Sequence, residues 1–153
     1  MKSIVLVAAL FSSAVAFAMP KVGDYAMINV SLGGSAIGTL ENEVVQFDAA
    51  KNQYLLRSTQ DLMGQRKSND TWGAGVSDQL INDILTNCSA KGGTPQSITV
   101  PAGAFATCAL PVNSGGSTGT MWVGMVPFGI VKADITNSGN QIGEELASFK
   151  LGK

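Results

Sequence analysis

The sequence predicts a mainly β domain with one α-helix, in which an antiparallel meander forms a curved sheet or incomplete β-barrel around that helix. Three observations support this fold class. Glycine is frequent, at 18 of 153 residues, and charged residues make up only 14% of the chain; this composition suits strands joined by turns. Most of the chain alternates between apolar and polar residues. Residues 77–88 alone have apolar residues at helical spacing.

The strand predictions follow the alternating pattern and the turn residues between its segments. Gly33-Gly34 and Asn137-Ser138-Gly139-Asn140 are typical of turns, and Pro101-Ala102-Gly103 suits a β-turn with proline at its second position. We place Val22, Ala26, Ile28, Val30 and Leu32 on one face of the first strand. The predicted strands are 21–32, 36–48, 53–59, 62–72, 97–100, 104–112, 120–125, 128–136 and 142–151.

The predicted helix covers Ser77 to Cys88. Ser77 is a favourable N-cap, and Asp78 in the first turn complements the helix dipole. Gly92-Gly93 ends the element. The apolar residues at helical spacing, which we expect on one face, are Val76, Leu80, Ile81, Ile84, Leu85 and Cys88.

The first eighteen residues have the pattern of a cleavable export signal. Lys2 precedes an apolar run at residues 4–11, and Ala16-Phe17-Ala18 provides a small-x-small cleavage pattern before Met19. The segment is shorter than the roughly 20 apolar residues of a spanning helix. We therefore expect a signal peptide at 1–18, a single β-rich domain at 19–153, and a periplasmic or secreted protein.

The predicted mature chain has 135 residues, of which nine are basic and eleven acidic, a formal charge of −2. This balance gives no electrostatic footprint for nucleic acid or for an anionic membrane. We also find no later apolar stretch long enough for a transmembrane segment.

Cys88 and Cys108 are the two cysteines of the chain. An exported protein meets an oxidising compartment, so we predict a disulfide between them. The ring of about 20 residues would contribute roughly 3 kcal/mol to stability. The bond would also fix the end of the helix to a strand. A redox pair or a metal site are the alternatives, but the spacing and the lack of further ligands disfavour both.

The sequence contains no histidine, which removes the commonest general base and the usual Ser-His-Asp and Cys-His systems. Glu41 and Glu43 would share one face of a strand and could do acid–base work, although a solvated strand face explains them better. Glu144 and Glu145 would point to opposite faces. We expect a non-catalytic protein that requires no cofactor or metal.

The remaining candidates for a binding site are aromatic and methionine side chains. A tryptophan on a concave sheet could stack on a sugar or line a lipid cavity, and methionines suit adaptable apolar surfaces. Core packing is the simpler explanation for each of them. The candidate ligand-binding residues are Trp72, Trp122, Met121, Met125 and Phe128.

The second half of the chain resembles a class of bacterial exported domains, many of unknown function. The resemblance rests on four segments: residues 99–108 (TVPAGAFATC), 121–123 (MWV), 126–132 (VPFGIVK) and 145–149 (ELASF). It implies a fold similar to the incomplete β-barrel of the periplasmic lipoprotein carriers. These residues are turn and core types, so the resemblance assigns no catalytic residue.

Two hypotheses for function follow. In the first, the protein is a periplasmic module that holds a lipid or other apolar ligand between the sheet and the helix. In the second, it is an envelope structural or interaction protein with a filled core, whose sheet edge or loops bind another protein. The space between the helix and the sheet separates these hypotheses.

Overall fold

The computed structural model describes residues 19–153, so the predicted signal at 1–18 lies outside the described residues. Within them lie nine strands and one α-helix, followed by a short 3-10 turn at Ser89–Lys91. The elements are β1 Tyr25–Leu32, β2 Ser35–Asp48, β3 Gln53–Leu62, β4 Gln65–Gly73, α1 Asp78–Thr86, β5 Thr94–Val100, β6 Gly103–Ser114, β7 Ser117–Gly124, β8 Ile130–Asn137 and β9 Asn140–Lys150.

The predicted fold class is confirmed: the strands form one open antiparallel sheet. The strand order is β4-β3-β2-β1-β9-β8-β7-β6-β5. The sheet thus consists of two meanders, β1–β4 and β5–β9, joined where β1 pairs with β9. The edge strands β4 and β5 follow one another in the chain, so the segment that contains α1 must cross from one edge of the sheet to the other.

Tight two-residue turns join many of the neighbouring strands. In the turn Gly33-Gly34 both residues have positive φ, 56° and 84°, which is the geometry of a type I′ hairpin. Met63-Gly64 adopts the same geometry with φ of 52° and 75°, although methionine has a side chain. The type I′ turn matches the twist of the flanking strands, which explains why the composition is rich in glycine.

Two predicted features of β1 and α1 are wrong in detail. Strand β1 begins at Tyr25 rather than Lys21, because the Asp24 amide donates to the Lys21 carbonyl at 2.9 Å and closes a turn. Val22 is therefore not on the strand's buried face and is 47% exposed. On the helix, Leu80 is 50% exposed and Ile81 is the buried residue. The helix ends at Thr86, so Cys88, which was predicted as its last residue, lies in the turn that follows and is buried there. Fewer residues of the helix are buried than the apolar residues at helical spacing predict.

The helix begins as predicted and is fixed at its far end by the predicted disulfide. The Ser77 Oγ accepts a hydrogen bond from the Leu80 amide at 3.2 Å. Cys88 is bonded to Cys108, with 5.6 Å between their Cα atoms. The helix packs on β6 and β7, so the bond joins it to the strand on which it already rests.

The sheet is strongly curved, and the main core lies where its curvature brings distant strands together. The Ala102 amide in the β5–β6 turn donates to the Leu146 carbonyl in β9 at 3.1 Å, although β7 and β8 lie between these strands in the sheet. The core cluster there consists of Ala26, Ile28, Val100, Val126, Val131 and Leu146, with Phe105 and Phe128 packed against it.

Candidate functional site

The space between the start of the helix and strands β2 and β3 is filled by side chains. The hollow between them, bordered by Val44, Leu56 and Phe128, has a volume of about 10 Å³, enough for roughly one water molecule. Ile81 on the helix is 1% exposed and its side chain lies close to Gly129. A ligand pocket for a drug-sized molecule usually measures about 300–1,000 Å³. No acyl chain fits into this hollow.

The five predicted ligand-binding residues lie at four separate places. Trp72 is near the end of the edge strand β4 and is 43% exposed. Met121 and Trp122 are neighbours on β7, and Met121 pairs with the buried Ala133 whereas Trp122 pairs with Lys132. Met125 and Phe128 lie in the loop between β7 and β8. The structure does not bring the five side chains into one cavity.

Phe128 contributes its side chain to the packing of the core. Its φ is 65°, a left-handed conformation that is unusual for a bulky residue, and its side chain packs against the main core cluster. The burial of the ring accounts for the unfavourable backbone conformation.

Met125 lines a small pocket where the two ends of the described chain meet the helix. The pocket has a volume of about 180 Å³. Asp78 at the start of the helix also lines it, and burial together with the nearby Asp24 raises the pKa of the Asp78 carboxyl. The lining residues are Met19, Lys21, Asp24, Asp78, Met125, Val126, Pro127 and Leu151.

Trp122 forms the floor of an open groove on the face opposite the helix. Ala109, its partner on β6, adjoins Cys108, which bonds to the helix side, and successive strand residues point to opposite faces. The indole Nε1 donates to the Gln96 Oε1 at 2.9 Å, so the ring leans across Ala109 towards β5. The groove measures about 440 Å³ and is lined by Gly92, Thr94, Gln96, Ala109, Pro111, Thr120 and Trp122.

Lys132 holds the other side of the indole. Its Nζ lies 5.6 Å from the ring centroid of Trp122, close enough for a cation–π interaction. The same Nζ lies 3.1 Å from Glu145 and 3.4 Å from Asp134. The hydrogen bond to Glu145 is the main cause that raises the pKa of Lys132. The ammonium group is therefore neutralised by carboxylates and is held against the ring.

Gln96 and Lys132 were not predicted from the sequence. Gln96 is 26 residues from Trp122, and only the register of β5, β6 and β7 brings the two together. The sole signal in the sequence was the alternation of β8, which places Lys132 on the opposite face from Val131 and Ala133.

The carboxylate pair Glu41 and Glu43 lies on β2, as predicted, and lines none of the pockets described above. Glu41 is 3.7 Å from Arg66, and Glu43 pairs in register with Tyr25. Residues 19–153 contain no group of three or more side chains suited to hold a metal ion. In the same range, no helix has the length and apolar character needed to cross a bilayer.

No family model and no curated protein matches the sequence. Solved structures, however, share the fold. MucB of Pseudomonas aeruginosa in its complex with MucA aligns with a TM-score of 0.54 and 11% identity, over 86% of this chain and 52% of MucB. A second structure of MucB with MucA gives a TM-score of 0.53 and 12% identity, over 86% of this chain and 51% of MucB. The chain thus spans about half the length of MucB.

Two further structures match over nearly their whole length. A Bacteroides fragilis protein assigned as exported, with a YmcC-like fold, aligns with a TM-score of 0.55 and 15% identity, over 88% of this chain and 99% of its own. A Parabacteroides distasonis protein assigned as a lipoprotein gives a TM-score of 0.53 and 10% identity, over 88% and 98%. At these identities the likeness establishes only a mainly β fold shared with these proteins. The four-segment pattern and the similarity to the periplasmic lipoprotein carriers stay predictions.

Proposed function

We propose that the protein is an exported, non-catalytic interaction module that binds a protein partner by adding one of the partner's strands to β4. The observation that carries this proposal is the open, uninterrupted edge of the sheet at β4. The space beneath the start of the helix is filled, whereas an open hollow of about 320 Å³ lies between Leu85 of the helix and strands β5 and β6. Strand addition to an open edge supplies main-chain hydrogen bonds without a pocket.

Of the two sheet edges, β4 is the better suited to accept a strand. Its nine residues, Gln65–Gly73, contain no proline, and its register with β3 runs uninterrupted from Leu62↔Gln65 to Tyr54↔Gly73. The opposite edge, β5, contains Pro95, which lacks a backbone donor. The turn after β5 is also tied to β9 through Ala102.

The charges of β4 are mostly engaged within the sheet. Asp70 accepts two hydrogen bonds from Arg57, each of 2.8 Å, and these hold the pKa of the Asp70 carboxyl below its usual value. Arg66 lies 3.7 Å from Glu41 on β2. Edge strands are commonly protected by outward charges, lysine above all. Lys67 is the one charged side chain of β4 without an ion-pair partner among residues 19–153.

Trp72 supplies an apolar anchor at the end of the same strand. It is 43% exposed, and tryptophan is among the residues that contribute most to binding energy at protein interfaces. The structures of MucB bound to MucA support a protein as the class of partner, because a domain of this fold is part of a protein complex there.

Site-specific photocrosslinking in the native host tests the proposal. A photoreactive benzoyl-phenylalanine at Asn69 on β4 should give an adduct that maps to one extended segment of one envelope protein. The matched position is Ser97 on β5, which is also exposed and should give no such adduct. Adducts of equal yield from both edges, or only uncrosslinked monomer from Asn69, would contradict the proposal.

A substitution of the anchor adds a second readout to this experiment. Trp72→Ala should weaken partner binding by about tenfold or more, as loss of an interface hot spot does. Trp122→Ala is the matched control, because this tryptophan lies on β7 at the far part of the sheet. If both variants bind the partner equally well, Trp72 is not an anchor.

An apolar ligand is the second candidate, and the pocket next to Met125 is what favours it. Five of its eight lining residues are apolar, including Val126 and Leu151. Its volume of about 180 Å³ is below the usual range for drug-sized ligands. A bound lipid in protein isolated from the host would support this candidate over the protein partner.

A further inference from the structure

The geometry points to a carbohydrate site: we propose that the groove over Trp122 binds a neutral glycan, with one sugar ring stacked on the indole. This site is independent of the proposed protein partner. The groove lies on β5, β6 and β7, whereas the proposed docking strand is β4 at the other end of the sheet.

The indole of Trp122 is held in place before any ligand arrives. Its Nε1 is fixed by Gln96 at 2.9 Å, and the Lys132 Nζ lies over the ring, 5.6 Å from its centroid. Ala109, directly beside it on β6, is too small to cover the ring. A side chain that is already ordered loses little conformational entropy on binding.

Polar side chains surround this aromatic floor. Thr94 and Thr120 contribute hydroxyl groups to the groove, and Gln96 contributes an amide. The Gln96 carbonyl oxygen accepts from the indole, so the NH₂ group at the other end of the amide remains as a donor. A purely apolar ligand would bury these groups without partners, which is unfavourable. A sugar ring has an apolar C–H face for the indole and hydroxyl groups for the rim.

The charge around the groove disfavours an anionic ligand. Lys132 is the cation next to Trp122, and Glu145 and Asp134 lie 3.1 Å and 3.4 Å from it. Binding of nucleic acid or another polyanion depends on unneutralised lysine and arginine. Two carboxylates against one ammonium disfavour an anion, and none of the residues that line the groove is charged, so a neutral ligand fits the groove best.

Nuclear magnetic resonance spectroscopy of residues 19–153 tests the proposal. The chain has two tryptophans, and each gives its own indole N–H signal. The probes are four neutral hexasaccharides: those of α-1,4-glucose, β-1,4-glucose, β-1,3-glucose and β-1,4-N-acetylglucosamine. At least one should shift the Trp122 signal saturably below about 10 mM, which corresponds to weak binding. The Trp72 signal should stay in place.

Variants distinguish binding at this site from non-specific binding to the surface. Trp122→Ala should abolish binding of the active probe, and Trp72→Ala should leave its affinity unchanged. Gln96→Ala keeps the ring but removes its restraint, so it should raise the dissociation constant by about three- to tenfold, the effect of one hydrogen bond. Circular dichroism checks that each variant folds.

Three outcomes would overturn the carbohydrate site. They are no shift of the Trp122 signal with any of the four hexasaccharides, equal shifts of both indole signals, and a shift with an oligothymidylate but not with the sugars. None of these outcomes bears on crosslinking at Asn69, so the two proposals fail separately.

Discussion

At the residue scale, Glu144 shows how a single side chain works against the stability of the sheet. It pairs in register with Val30 and Ala133, which are 8% and 2% exposed. Its neighbour Glu145 points to the opposite face, where Lys132 is 3.1 Å away. Burial raises the pKa of the Glu144 carboxyl, because a charge is less well solvated there than in water.

This raised pKa predicts how stability changes with pH. The folded state holds the Glu144 proton more tightly than the unfolded chain does, so protonation of this carboxyl stabilises the fold. This contribution to the free energy of unfolding is fully present below the ordinary pKa of 4.5. That contribution is lost as the pH rises through the higher pKa of the folded state. Glu144→Gln removes the titration and should therefore raise the melting temperature at pH 7 but not at pH 4.

Glu145→Gln is the matched control for this measurement. It removes one of the two carboxylates that contact Lys132 and should lower stability by roughly 0–1 kcal/mol. Thermal unfolding of both variants and the parent protein at pH 4 and pH 7 checks the prediction. If Glu144→Gln melts at or below the parent temperature at pH 7, the carboxyl is not disfavoured by burial.

Sequence patterns predicted the residues whose roles are local. Ser77 caps the helix three residues before the amide that it accepts from, and Glu144 and Glu145 point to opposite faces because side chains alternate along a strand. Trp122 was predicted as a candidate binding residue, but its hydrogen bond with Gln96 was beyond prediction, since it depends on the register of three strands.

At the element scale, the helix is held by one buried side chain and by a covalent bond just beyond its end. Ile81 is the buried residue of α1, and Cys88, two residues after the helix, is buried and bonded to Cys108 on β6. Gly93 lies against this bond, because a Cβ atom added there would be 2.9 Å from the Cys88 Sγ and even nearer to that of Cys108. The sequence predicted the bond from the expected oxidising compartment and the even number of cysteines, while the close approach of Gly93 requires the structure.

Removal of the disulfide should destabilise the protein without changing the sheet. The double variant Cys88→Ser, Cys108→Ser should lower the free energy of unfolding by about 3 kcal/mol, the value for a ring of this length. Denaturant unfolding of the variant and the parent, with far-ultraviolet circular dichroism to compare the folded states, measures the effect. An unchanged unfolding midpoint would show that the bond does not hold the helix in place.

Several predicted strand boundaries are wrong by three residues: β3 runs to Leu62 rather than 59, and β5 and β7 start at 94 and 117 rather than 97 and 120. β4 starts at 65 rather than 62, because residues 63 and 64 form the turn. The segment Lys21–Asp24 has the alternation of a strand, yet the Asp24 carboxylate accepts from the Lys21 amide at 2.8 Å and stabilises a turn instead. Asp side chains that bond to nearby backbone favour such turns. Strand β2, in contrast, begins and ends within one residue of its predicted range.

At the scale of the whole molecule, the sheet order is the feature that the sequence did not predict. Alternation and turns indicated consecutive antiparallel strands, but the pairing of β1 with β9 joins the two ends of the chain. Alternation within a strand and the turns between consecutive strands give no information on pairing between strands that are far apart in the sequence. This pairing leaves β4 and β5 as edges, and from it follow both the crossing of the helix and the open strand proposed for the partner.

The central claim is that the protein binds its partner on the outside of the sheet and carries no ligand within. Native mass spectrometry of the protein isolated under non-reducing conditions from its own host tests this claim most directly. We expect the mass of residues 19–153 less two hydrogens, with no additional small molecule. A retained acyl lipid that dissociates only on unfolding would contradict the claim and would favour the apolar ligand.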